Sequence, residues 1–280
     1  MLEQYQNLPL EIDPIAIAVG SFSIGWYSIM YLVAFAVIFG LLSYRIRKKE
    51  APYDREMIFD FLLFALVGAL IGGRLGYVFL YNLPYYLGNV WEIFSPYDFS
   101  AGLWIGIYGM SYHGGLLGVL GASLIFVRMN RERIGSFWKF MDFVVPAVPA
   151  GYFFGRVGNF LNGELYGRVT DSWVGMYFSM NEAFLRYPSQ LIEALLEGAV
   201  LFILLWPIRN RGKFTGYFSA LYLMGYGVAR TIGEFFREPD EQIGFFWGYL
   251  TLGQILSIGM ILAGAVIYFQ RRKNNAIIDK

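Results

Sequence analysis

Three long stretches of this chain contain no Asp, Glu, Lys or Arg: one between Asp13 and Arg45, one between Asp98 and Arg128, and one between Glu241 and Arg271. A helix needs roughly 20 apolar residues to cross about 30 Å of hydrocarbon, and each stretch is long enough. Composition extends the inference to the whole chain. Of 280 residues 57% are hydrophobic and only 15% charged, and the mean hydropathy is +0.48, whereas about a quarter of a soluble domain is charged. Soluble enzyme classes are thereby excluded. A net charge of +1 leaves no basic footprint for nucleic acid. With no Cys there is no disulfide, no thiol nucleophile and no thiolate metal site.

Seven apolar stretches are predicted to span, near 23–44, 57–81, 107–127, 137–160, 189–208, 215–236 and 248–269. The fold class expected is therefore an all-α polytopic membrane protein, with residues 1–280 forming a single integral membrane domain. Basic residues sort by loop. Arg45, Arg47, Lys48, Lys49 and Arg55 follow the first stretch, and Arg128, Arg131, Arg133 and Lys139 follow the third. Arg209, Arg211 and Lys213 follow the fifth, and Arg271, Arg272, Lys273 and Lys280 the seventh. The positive-inside rule puts these alternate loops in the cytoplasm, with the N-terminus outside and the C-terminus inside. The opening MLEQYQNLPLEID has no basic residue and is not expected to be a cleavable signal peptide.

The remaining basic residues, Arg74, Arg156, Arg168, Arg186, Arg230 and Arg237, are all arginine and fall on the outer side by this topology. Guanidinium is the group for bidentate recognition of phosphate or carboxylate. Tyr27, His113, Asn159, Asn162 and Glu164 are placed at the same depth, as is Glu234, which with Arg230 and Arg237 has the i, i+4, i+7 spacing of one helix face. Charges in hydrocarbon must be paired or hydrated, so this trio is either a buried pair joining helices or an anion-binding face. Glycines at 155, 158, 163 and 167 interleave with Arg156, Asn159, Asn162, Glu164 and Arg168. That is neither a P-loop nor a dinucleotide fingerprint, though it suits backbone amides approaching a phosphate as well as simple chain reversal. His113 is the single histidine; alone it reads as a structural residue, and at the arginines' depth as a base. No metal is expected, since one His and no Cys leave only carboxylates as further ligands.

Elsewhere the features are plainer. Residues 83–106 are rich in Trp and Tyr and are expected to lie as an interfacial arm in the headgroup layer. Residues 161–188 form a small outer cap, in which GRVTDSWVGMYFSM reads as alternating β. Gln190, Glu193 and Glu197 make a polar stripe that lines a wet cavity or pairs with an arginine. Asp60 and Asp142 sit near inner ends. Gly114 and Gly118 have the spacing of close helix packing. A channel or transporter for an anionic or lipid-headgroup substrate would also use membrane arginines, but the inner halves of stretches three and seven are too dry for a polar path. An intramembrane serine protease fares worse, because Ser123 shares its helix with His113.

WYSIMYLVAF around Tyr27, GGRLGYV around Arg74, YHGGLLG around His113, GRVGNFLNGELYGR, RYPSQLIEALLEG and RTIGEFFREPD occur in that order. In these blocks, which run through nearly the whole chain, it resembles the prolipoprotein diacylglyceryl transferase family of the bacterial cytoplasmic (inner) membrane. The segment SAGLWIGIYGMSYHGG is longer and more apolar than the family's pattern. The resemblance implies transfer of diacylglycerol from phosphatidylglycerol to the cysteine thiol of a lipobox in a prolipoprotein signal peptide, at the outer (periplasmic-side) leaflet. It implies that Arg156 binds the lipid phosphate and that Tyr27, His113, Asn159, Glu164, Gly167, Arg230 and Glu234 are essential. Asn162 and Arg74 join the expected substrate-binding set, and no cofactor is required.

Overall fold

A computed structural model describes residues 2–20, 22–95, 97–98, 102–104, 109–181, 183–238, 245–246 and 249–278. The elements, in chain order, are α1 (Leu2–Glu11), β1 (Ile15–Val19), β2 (Phe22–Gly25), α2 (Trp26–Arg47), α3 (Arg55–Tyr81), α4 (Leu83–Gly88), a 3₁₀ turn (Val90–Ile93), β3 (Tyr97–Asp98), β4 (Leu103–Trp104), α5 (Tyr112–Met129), α6 (Arg131–Ile134) and α7 (Phe137–Val144). They continue with a 3₁₀ turn (Val145–Ala147), α8 (Val148–Leu161), α9 (Ser189–Glu193), a π-helical segment (Ala194–Val200), α10 (Leu201–Leu205), α11 (Tyr217–Gly233), β5 (Phe245–Phe246), β6 (Leu250–Thr251) and α12 (Leu252–Ile278). The chain divides into two compact units, Met1–Ala51 with Trp138–Lys280, and Pro52–Phe137.

Among the described residues each of the seven apolar stretches is mainly helical, but three helices are both long and apolar enough to cross a membrane: Trp26–Arg47, Arg55–Tyr81 and Leu252–Asn274. His113–Met129 is a shorter apolar helix; residues 107–108 of the third stretch and 248 of the seventh lie outside the described residues. The fourth is not one rod. Pro146 and Pro149 cannot donate backbone hydrogen bonds, and a 3₁₀ turn separates α7 from α8 there. The fifth is interrupted by the π-helical segment. The chain is mostly helical, and among the described residues the short strands pair as three two-stranded antiparallel hairpins. The alternation in GRVTDSWVGMYFSM does not build a ladder; it yields isolated bridges, Val169 and Met176 each with Arg186. The N-terminal helix is tied to this region by Tyr5 Oη donating to the Val174 carbonyl (3.0 Å) and by the Tyr177 amide donating to the Gln6 carbonyl (2.8 Å).

In the second unit α3 and α5 touch backbone to backbone. Gly68, Gly72 and Gly76 recur one per turn on α3 and meet Gly114 and Gly118 of α5. A Cβ on Gly118 would lie 2.0 Å from the Gly68 carbonyl oxygen, and one on Gly114 2.3 Å from that of Gly72. Lipid tails supply no hydrophobic drive between helices, so close van der Waals contact of this kind does the joining. The α5 half of the motif was visible as its glycine spacing; its α3 partner was not.

In the first unit α2 ends in a buried ion cluster. Glu50 accepts from Arg45 (Nε to Oε2, 2.7 Å) and from Arg209 (Nη2 to Oε1, 2.8 Å), with side chains 7%, 4% and 14% exposed. Arg45 also donates to the Phe143 carbonyl and stacks on the Phe143 ring. Nearby, the Asp142 carboxylate accepts from the amides of Gly216, Tyr217 and Ser219 (2.6, 3.1 and 3.0 Å), capping α11 from another helix. Burial alone would raise the Glu50 carboxyl, but hydrogen bonds from Asn210, Arg209 and Arg45 outweigh it and hold the group below the usual carboxylate range.

Two expectations follow from this packing. Gly118→Leu separates α3 from α5, and lowers the unfolding temperature of the detergent-solubilised protein, while the same change at Gly121, where a Cβ meets nothing within 4 Å, is tolerated. Because the Glu50 pKa is lowered in the fold, its contribution is complete above the unfolded value of about 4.3 and is lost as pH falls through the folded value. Unfolding temperature followed by tryptophan fluorescence therefore drops on acidification below about pH 5, and drops less steeply in Glu50→Gln, which is itself weaker by ~3 kcal/mol at neutral pH.

Candidate active site

Helices α8, α9 and α11 of the first unit bring their ends to one carboxylate. Glu193, the last residue of α9, has its Oε2 at 2.9 Å from Arg156 Nε and its Oε1 at 2.8 Å from Arg230 Nη1. Arg237 Nη1 approaches the same Oε1 at 3.8 Å. Each oxygen of one buried carboxylate, 2% exposed, is thus claimed by an arginine from a different helix. Glu197 adds Oε1 at 3.5 Å from Arg230 Nη1, and Glu234 Oε2 lies 2.7 Å from Arg230 Nη2. Glu193 and Glu197 are four residues apart and both face Arg230 at the junction of α9 with the wider π-helical turn, a distortion often found at functional sites.

A second layer orients the arginines. Arg156 Nε also donates to Tyr152 Oη (2.7 Å), which in turn donates to Glu197 Oε2 (2.5 Å), and Tyr152 lies one turn before Arg156 on α8. Arg156 Nη1 donates to Asn159 Oδ1 (3.3 Å), and Asn159 Nδ2 donates to Glu164 Oε1 (2.8 Å). Gln190, fully buried, donates from Nε2 to the Glu164 carbonyl (2.6 Å). Arg156 Nη2 makes no hydrogen bond to a described residue, so this guanidinium keeps donors in reserve.

Three strands of irregular chain close over the cluster at Gly167. Its amide donates to the Tyr187 carbonyl (2.8 Å), the Arg168 amide donates to the Phe236 carbonyl (2.9 Å), and Gly167 forms a bridge with Arg237. A Cβ at Gly167 would sit 2.2 Å from the Phe236 oxygen and 2.8 Å from that of Tyr187, which leaves glycine as the residue that fits. The shared helix face expected of Arg230, Glu234 and Arg237 therefore needs correction. Helix α11 ends at Gly233 with Glu234 as its cap, and Arg237 lies beyond it. It reaches Glu193 from the bridge rather than from the helix.

The other expected residues are placed as follows. Tyr27 lies in the first turn of α2, with Oη 3.0 Å from Tyr31 Oη, and Gly158 of α8 packs against it and Met30. Asn162 caps the C-terminus of α8, and its side chain makes no hydrogen bond to a described residue. Arg74 and His113 belong to the second unit. Arg74 is engaged by its own arm: it donates to the carbonyls of Ile93 and Glu92 and to Tyr86 Oη (3.1 Å), and stacks on the Tyr86 ring. Residues 96, 99–101 and 105–106 of that arm lie outside the described residues. His113 sits half-buried in the first turn of α5, behind the Ser111 cap. Among the described residues no group of three His, Asp or Glu side chains is arranged to hold a metal.

Sequence reasoning left out Tyr152 and underrated Glu193 and Glu197. The stripe on the fifth stretch was visible, but nothing in it named which arginines it would meet. Tyr152 carried one local signal, its i, i+4 spacing from Arg156. Chemically the assembly is a set of guanidiniums held together against mutual repulsion by interposed carboxylates, as charges in a water-poor place require.

The family model described as "Prolipoprotein diacylglyceryl transferase" matches residues 14–270. The chain is 45% identical over 277 residues to a Chlorobaculum tepidum protein named phosphatidylglycerol–prolipoprotein diacylglyceryl transferase, covering 97% of this chain and 95% of that one. Proteins of the same name from Hydrogenovibrio crunogenus (42% over 272 residues; 96% and 97% covered) and Wolinella succinogenes (42% over 279; 98% and 100%) are similar over the same extent. The chain belongs to the prolipoprotein diacylglyceryl transferase family.

Proposed function

We propose that this membrane protein transfers the diacylglyceryl group of phosphatidylglycerol to the lipobox cysteine of a prolipoprotein, making a thioether and releasing glycerol phosphate. The observation that carries the reading is the Arg156–Glu193–Arg230 bridge, two guanidiniums from separate helices fixed on one buried carboxylate. In the reaction the cysteine sulfur attacks the glyceryl carbon bonded to the phosphate oxygen. That C–O bond breaks, its electron pair leaves on the phosphate, and the thiol proton passes to a base. The phosphodiester carries one negative charge and the departing monoester gains a second. Donors that meet this growing charge contribute a few kcal/mol each in a water-poor site. Arg156, with unspent donors, is assigned to the phosphate. Arg230, oriented by Glu234, is assigned to the charge that develops on departure. Asn159 and Glu164 hold Arg156 in place, while Gly167 lets the covering chain close.

A free thiol has a pKa near 8.5, so at neutral pH it must lose its proton to react. His113 is assigned as the acceptor, imidazole being the side chain most often used as a general base. Tyr27 is assigned to the catalytic set and Asn162 to the substrate-binding set. Arg74, bound to the carbonyls of Glu92 and Ile93, is likewise assigned to the substrate-binding set. The topology that accommodates both amphipathic substrates has seven spans in a bacterial inner membrane, N-terminus outside, C-terminus in the cytoplasm, and the 161–188 cap and the arginines toward the outer leaflet. The segregation of basic residues into alternate loops supports it.

The test incubates purified protein in phosphatidylglycerol micelles with a lipobox peptide and reads the diacylglyceryl mass gain on its cysteine. Arg156→Lys is expected to transfer at least about 100-fold more slowly, the loss typical of one preorganised donor; an unimpaired Arg156→Lys removes the phosphate assignment. His113→Gln is expected to lose activity steeply at pH 6.5 and to recover part of it above about pH 8.5, where the thiol ionises unaided. A pH profile identical to the parent's takes His113 out of the proton transfer.

A further inference from the structure

The first turn of α12 carries a residue pattern that the site already described does not use. Thr251 is the cap of that helix and Gln254 its third residue, and they hydrogen-bond reciprocally: the Gln254 amide donates to Thr251 Oγ1 and the Thr251 amide donates to Gln254 Oε1, both at 3.2 Å. This is a capping box. Its hydroxyl has a second partner. Thr251 Oγ1 lies 3.0 Å from Glu234 Oε1, both residues being buried. Because the Gln254 amide already donates to that oxygen, the hydroxyl proton is directed to the carboxylate. Below it Gly253 supplies the space. A Cβ there would come within 2.6 Å of the Glu234 carboxyl carbon. The start of a 27-residue helix, with its partial positive charge, is thereby set against a carboxylate whose other oxygen faces Arg230 Nη2 at 2.7 Å as an ion pair without a hydrogen bond.

We propose that Thr251 is a positioning residue of the active site. Its hydroxyl fixes Glu234 Oε1, so that Oε2 presents Arg230 in the orientation the leaving phosphate needs, with Gly253 as the seat of the carboxylate. The proposal rests on the transferase reading for its kinetic consequence but not for its geometry.

The experiment compares Thr251→Ser, Thr251→Val and Gln254→Met in the lipobox-peptide assay and in thermal unfolding in detergent. Thr251→Val, which keeps the shape and loses the hydroxyl, is expected to lower kcat by at least about 10-fold with KM for phosphatidylglycerol within about 3-fold, a loss in the range of one hydrogen bond to a charged group. Thr251→Ser restores kcat to within about 3-fold of the parent. Gln254→Met weakens the cap but keeps the amide that orients the hydroxyl, so it lowers the unfolding temperature and leaves kcat near the parent's. A Gln254→Met loss equal to that of Thr251→Val, or a Thr251→Ser with no rescue, overturns the proposal, because the role is then helix capping alone. If the parent protein transfers nothing, the transferase reading fails by itself. The positioning claim is then decided by Thr251→Val, Glu234→Gln and the double variant in unfolding: non-additive losses support it and additive losses refute it.

Discussion

Like charges brought together in a medium that solvates them poorly repel strongly, and the site exists because Glu193 removes that repulsion. With Arg156 on one oxygen and Arg230 on the other, it lets two helices present guanidiniums side by side without the cost of isolated buried charge. Glu197 and Glu234 extend the same arrangement, and Tyr152 links its two sides as a neutral relay. The elements that carry these groups inherit their shape from the requirement. Helix α9 gives way to a π-helical turn where two glutamates address one arginine, and α11 stops where its last carboxylate must turn toward α12.

A second ion cluster, at the far end of α2, shows by contrast what a structural pair looks like. Arg45, Glu50 and Arg209 satisfy one another and neighbouring carbonyls, stacking on Phe143 and Trp206. The Glu193 cluster differs in that Arg156 retains donors unspent among the described residues. That difference, rather than the mere presence of buried charge, separates a joint from a site.

Much of this could be read from the chain, and what could not be read has physical causes. Charge-free runs and apolar stretches located the helices, because hydrocarbon imposes length and composition directly. The arginines of the cluster stood out, because a charge in an apolar run must be paired or hydrated. Their partners were harder. Whether Glu193 meets Arg156, Arg230 or water depends on how distant helices pack, and no local periodicity reports that. The same holds for Gly68, Gly72 and Gly76, which mean little until α5 is laid against them. The GRVTDSWVGMYFSM alternation misled, since it has the period of a strand while its amides pair one by one with the carbonyls of Tyr187, Phe236, Leu185, Arg186 and Gln6. The Thr251 capping box was readable by spacing but lay unremarked inside an apolar run.

The glycine seam between α3 and α5 bears on how a bulky lipid reaches or leaves such a molecule. Where carbonyl oxygens of one helix already rest on the α-carbons of the next, no gap the width of a hydrocarbon tail remains, and prising one open would sacrifice contacts along several turns at once. The α3–α5 pair therefore moves as one body, and no hydrocarbon tail lodges between its two axes.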